Sequence, residues 1–73
     1  MAIINHGQTN DLDYVKYARD RLRAYVRAAA IPVHVGIMNG DEGMFLAVSM
    51  LGMDEADIEN IPHQVDGILV MLI

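Results

Sequence analysis

Seventy-three residues, a net charge of −5, no Cys and 53% hydrophobic residues bound what this chain can be. The length excludes a multi-domain enzyme, the missing Cys excludes disulfide scaffolds and thiolate zinc sites, and the apolar content excludes a disordered acidic tail. Surface scaling gives roughly 4,500 Å² folded against ~12,000 Å² unfolded, a burial of about 60%, and a narrow margin that oligomerisation often supplements.

Residues 2–5, mostly apolar, predict a short edge strand. The segment from His6 to Asn10 reads as a turn. Asn10 is the expected helix N-cap, with Asp11 and Asp13 in the first turn where the helix dipole favours negative charge. A single amphipathic helix is predicted over 11–30, because no Gly or Pro interrupts it. Val15, Ala18, Leu22, Tyr25, Val26 and Ala29 share one stripe, with Tyr14 beside it. Lys16, Arg19, Arg23 and Arg27 share an adjacent stripe. Pro32 stops the helix.

The periodicity then changes to that of strands. Residues 33–38 alternate and are rich in Val and Ile, so a strand is predicted there. Asn39-Gly40-Asp41-Glu42-Gly43 reads as a five-residue hairpin loop. The return strand is predicted over 44–51, with Phe45, Ala47, Ser49 and Leu51 on one face and Met44, Leu46, Val48 and Met50 on the other. Residues 53–60 form an acidic connection with room for one helical turn. Asp66-Gly67 marks a turn into a final strand over 67–73, apolar on both faces and so expected in the middle of the sheet. The fold class that follows is α+β, one domain over 1–73. Its two layers are one N-terminal amphipathic helix and a three- or four-stranded, mostly antiparallel sheet.

All five basic residues lie in residues 1–30, whereas 31–73 holds seven acids and no Lys or Arg. The acidic total argues against broad nucleic-acid binding, which needs a net basic face. The N-terminus has no basic, apolar signal pattern, and the longest fully apolar run, residues 68–73, is far short of the ~20 residues of a membrane span. A soluble cytoplasmic protein with no membrane partner is expected.

Catalytic constellations are poorly supported. His6, His34 and His63 show no metal-ligand spacing and have no Cys beside them, so no metal or cofactor is expected. His63, Asp66 and Ser49 are the residue types of a hydrolase triad, but no nucleophile-elbow sequence surrounds Ser49. Asp54, Asp57 and Glu59 lack the full calcium-loop pattern. No catalytic residue is assigned.

A single helix covers one side of a sheet, yet both sides of the 44–51 strand are apolar. The second side must be covered by another copy, by a partner protein, or by the N-terminal segment and the acidic loop folding over it. Six Met residues suit an adaptable contact surface. The candidate partner-binding residues are Met44, Leu46, Val48 and Met50 on that side, the stripe Lys16, Arg19, Arg23 and Arg27, and Tyr17 as an anchor. The stripe would meet an acidic partner, the 53–60 loop of another copy or a phosphate-rich ligand, or would simply pair with Asp13 and Asp20.

Val35-Gly36, Asn39-Gly40, residues 46–51, Ile61-Pro62, Val65-Asp66-Gly67 and residues 68–70 together form a pattern. It resembles a small domain that precedes the catalytic domain of some bacterial trypsin-like serine peptidases. The resemblance covers 33–73 and implies a fold, not proteolysis. The functional expectation is a small, acidic, non-enzymatic interaction module. It would self-associate or bind and modulate a larger protein, as inhibitors and adaptors of phages and mobile elements do. The alternative is a small-ligand binder or minimal enzyme with a site at a dimer interface, between the basic stripe and His34 or His63.

Overall fold

The computed structural model describes residues 4–49 and 52–73. It contains α1 (Leu12–Ala28), β1 (Val35–Gly40), β2 (Gly43–Val48), α2 (Glu55–Glu59), β3 (Gln64–Val65) and β4 (Ile68–Leu72). The strands lie in the order β1-β2-β4-β3, with β1/β2 and β3/β4 antiparallel and β2/β4 parallel. The fold is α+β, with α1 packed on a four-stranded, mostly antiparallel sheet. The Cα extents of 34 × 21 × 15 Å are those of a thin two-layer body.

The helix starts at Asp11 rather than Asn10. Asp11 is the residue held in extended conformation, and its Oδ1 accepts from the Tyr14 N–H at 3.1 Å. At the other end, the Ala30 N–H donates to the Arg27 carbonyl and the Ile31 N–H to the Val26 carbonyl. That is a Schellman closure, with Ala30 in the left-handed region at φ 57° and Ile31 folding back onto Val26 in the core. An alanine is strained there, where glycine is usual. Ala30→Gly is therefore expected to stabilise the fold by about 0.5–1 kcal/mol. For a domain this small, that is an upward shift of a few degrees in thermal midpoint, read by circular dichroism.

The hairpin is tighter than the sequence reading expects. Gly40 pairs with Gly43, so the loop is Asp41-Glu42 alone, and Asn39 and Gly40 belong to β1. Its register sets Val35 opposite Val48, Ile37 opposite Leu46 and Met38 opposite Phe45. Asp66 and Gly67 both have positive φ and make the two-residue turn that the Asp-Gly pair predicts between β3 and β4. β4 is an inner strand, as its two apolar faces predict. The expected strand over 2–5 lies mostly outside the described residues. Asn5 instead bridges to Gln8 across a His6-Gly7 turn.

Val15, Ala18, Leu22 and Val26 of α1 enter the core against Val35, Leu46, Val48, Ile68 and Val70. Leu22, Leu46, Val48, Val15 and Ile68 are fully buried. This corrects the face assigned from sequence: the side of β2 carrying Met44, Leu46 and Val48 lies under the helix. Leu46 and Val48 have no exposed surface, Met44 packs partly against the core, and Met50 falls outside the described residues. The helix-free side is that of Phe45 and Ala47.

Candidate functional site

Two surfaces stand out once the layers are placed. The first is the helix-free face of the sheet. Alternation from the register brings Gly36 and Met38 of β1, Phe45 and Ala47 of β2, and Leu69 and Met71 of β4 to this side. Ile73 continues β4 there and is tied to β2 by its N–H, which donates to the Val48 carbonyl at 2.9 Å.

One end of this face is covered by the chain itself. The Thr9 N–H and carbonyl exchange hydrogen bonds with Met44, and the Leu69 N–H donates to the Gly7 carbonyl at 2.7 Å. The 5–9 hairpin thus sits across the beginnings of β2 and β4. A Cβ placed on Gly40 would lie 2.8 Å from Gln8 Oε1 and 3.0 Å from the Phe45 ring, so Gln8 and that ring crowd the same spot. One at Gly43 would strike the Thr9 backbone at 2.8 Å, so only glycine admits the hairpin so close.

The other end is open. Met38, Met71 and Ile73 are 41%, 44% and 58% exposed around Ala47, and no described atom lies within 4 Å of a Cβ added to Gly36. Gly36, Met38, Ala47, Met71 and Ile73 carry no charge. The expectation that the N-terminal segment covers the second face therefore holds for its Phe45 end only. The acidic connection does not reach the face. Tyr25 Oη donates to the Asn60 carbonyl at 2.7 Å and Ile61 enters the core, which holds α2 beside α1.

The second surface is the basic flank of α1. Arg23 donates to the Val35 carbonyl at 3.1 Å, which holds the later part of this flank at the outer edge of β1. Arg19 and Arg23 share the carboxylate of Asp20, at 3.1 and 3.9 Å. Lys16 and Arg27 are exposed, with no carboxylate within 4 Å among the described residues. The local pairing read from the sequence thus involves Asp20 and leaves most of the stripe uncompensated. Beyond the last turn of α1, an open groove of about 600 Å³ is lined by Arg23, Arg27, His34 and the apolar Val26, Ile31 and Pro32.

Tyr17 is 53% exposed and is engaged within its own helix. The Arg21 guanidinium lies 5.8 Å from its ring centre and donates to its hydroxyl at 3.2 Å. Arg21, which the stripe reading omits, also reaches Asp66 Oδ2 at 3.2 Å. That carboxylate oxygen has no aligned hydrogen-bond donor and is met by the arginine's charge. The Tyr17 hydroxyl and the Asp66 carboxylate together raise the Arg21 pKa above its ordinary value. Tyr14 Oη donates to the Asp66 carbonyl at 2.6 Å and pins the same turn.

The other residue types of interest are dispersed. Among the described residues, no three His or acidic side chains gather as metal ligands would. Ser49 follows β2 beside Ile73, whereas Asp66 precedes β4 at its opposite end. Strand rise alone separates them by about 15 Å, too far for a triad. His63 is exposed before β3. Among the described residues, no helix is long and apolar enough to cross a membrane.

No protein family matches this sequence, and neither a curated protein nor a solved structure matches the chain. The fold defines a small α+β domain, and the two surfaces are what it offers.

Proposed function

We propose that the protein is a small, non-enzymatic interaction module of the cytoplasm. It pairs with a second copy of itself through the open end of its helix-free face, and in that form docks on and modulates a larger protein. The observation that supports this most is the uncharged patch of Met38, Met71 and Ile73 around Gly36 and Ala47. Copies carrying a net charge of −5 repel one another over most of their surface, but not where two uncharged patches meet.

A two-fold contact of this patch with itself would be a sheet-on-sheet packing, with flexible Met side chains filling the gap over Gly36. It would also add apolar burial to a chain with a narrow margin of its own. Sedimentation velocity from low to high micromolar concentration tests the reading. The expected result is a rise from monomer to dimer mass. A monomer at every concentration overturns it.

The alternative, a small-ligand binder, draws on the groove where Arg23, Arg27 and His34 meet. None of its described lining residues is a nucleophile or a carboxylate, so the groove favours holding an anion over transforming one.

A further inference from the structure

The edge of the sheet beneath the basic flank of α1 is unprotected. In an antiparallel ladder, residues alternate between facing the partner strand and facing away from it. The Val35 carbonyl is turned outward to Arg23, so the N–H and carbonyl groups of Ile37 and Asn39 point outward too. No described residue pairs with them. Natural sheets blunt such edges with charged side chains, Pro or a bulge. β1, Val-Gly-Ile-Met-Asn-Gly, carries no charge and no Pro, and pairs with β2 residue for residue without a bulge.

The chemistry of an occupant is set by what flanks this edge. Along α1, Tyr14 is tied to the turn before β4, Tyr25 to Asn60, and Arg23 to Val35. α1 therefore crosses the sheet from the β3-β4 turn at its start to the outer edge of β1 near its end, which brings Arg23 and Arg27 to that edge. Among the described residues, the only carboxylate within 4 Å of either is Asp20, 3.9 Å from Arg23. A second copy's β1 would bring its own arginines to the same seam, where like charges repel. The acidic α2 of a second copy is helical and has no strand groups to offer.

We propose that the outer edge of β1 captures an extended, acidic segment of a partner protein as a fifth strand. The partner's backbone pairs with Ile37 and Asn39, and its carboxylates meet Arg23 and Arg27. This is strand addition with charge selection. It uses a surface separate from the self-pairing face, so it stands or falls independently of dimer formation.

The test uses a fluorescent peptide of alternating Val and Glu, a Val/Lys counterpart, and succinate as a free dianion. Binding is read by anisotropy and by amide chemical shifts of the 73-residue protein. The Val/Glu peptide is expected to bind, to weaken as salt is raised, and to shift the Ile37 and Asn39 amides. Arg23→Glu with Arg27→Glu is expected to weaken it at least tenfold. Asn39→Pro removes an outward N–H without touching the bonds to β2, and should weaken it comparably while the circular dichroism spectrum is unchanged. Equal binding of the Val/Lys peptide, no binding of either, or full binding to Asn39→Pro overturns the proposal. So does succinate competing as well as the peptide while the Ile37 and Asn39 amides stay unshifted, which would mark an anion site alone.

Discussion

Val48→Asp is expected to unfold the chain. Val48 is fully buried beneath α1, in a core cluster of apolar side chains that includes Leu22 and Leu46. The substitution removes a packed Val and buries either an unpaired charge or a protonated acid without a partner. Either route costs several kcal/mol. A 73-residue domain has a total stability of roughly 4–11 kcal/mol. Circular dichroism should show lost helix and no cooperative melt, and proton NMR should show collapsed dispersion. A folded, soluble Val48→Asp would mean that this side of β2 is not the core, and the two-layer arrangement would have to be inverted.

Gly36→Glu is the counterpart on the other side of the same sheet. An added Cβ meets no described atom within 4 Å, and Gly36 needs no left-handed backbone. Fold stability should be unchanged or slightly higher, because glycine is a poor strand residue. Self-association should fail, because a two-fold contact would trap two carboxylates in an apolar seam. The dimer dissociation constant is expected to rise at least tenfold, read by sedimentation velocity, with the melting curve of the monomer preserved. An unchanged constant would remove the helix-free face from the account of self-association.

The contrast between these two variants also marks where sequence reading works and where it slips. The amphipathic stripe of α1 carries strong information, and Val15, Ala18, Leu22 and Val26 are the residues it buries. Asp66-Gly67 is a turn for the conformational reason its composition predicts. The inner placement of β4 follows from a strand apolar on both sides. The face of β2 read from sequence is the reverse of the observed one, and the expected hairpin loop carries the same reversal. A five-residue loop over 39–43 pairs Met38 with Met44, whereas the two-residue loop pairs Met38 with Phe45. That one-residue slip sends every β2 side chain to the opposite face. With Met, Phe, Leu, Ala and Val in succession, β2 has no polar residue to expose the error.

The signal that would have settled it lies in β1. Val33, Val35 and Ile37 are the β-branched side, and His34, Gly36 and Met38 are not. The branched side belongs under the helix, and the pairing then carries Leu46 and Val48 with it. The basic stripe was legible from helical spacing alone, but its neighbour was not. Only the tertiary fold puts Val35 and the open edge of β1 beneath Arg23. Arg21 was missed for a similar reason, since its partner Asp66 is 45 residues away in the chain and the turn that presents it is held by Tyr14.

The strand order carries one further consequence, which concerns the order of events in time. β1 and β2 are neighbours in sequence and close through a two-residue loop, which is quick and local. β4 must pass α2 and β3 before it reaches β2, so its parallel pairing joins residues 24 apart, as Leu46 with Val70. Non-local pairings of this kind carry the larger loop-closure entropy and slow the reaction. The helix and hairpin are thus free to form early, while the inner strand docks late and completes the core. Until it docks, β2 shows a bare inner edge and α1 covers only half a sheet. That interval, not the finished fold, is when this apolar chain is most exposed to pairing with the wrong strand.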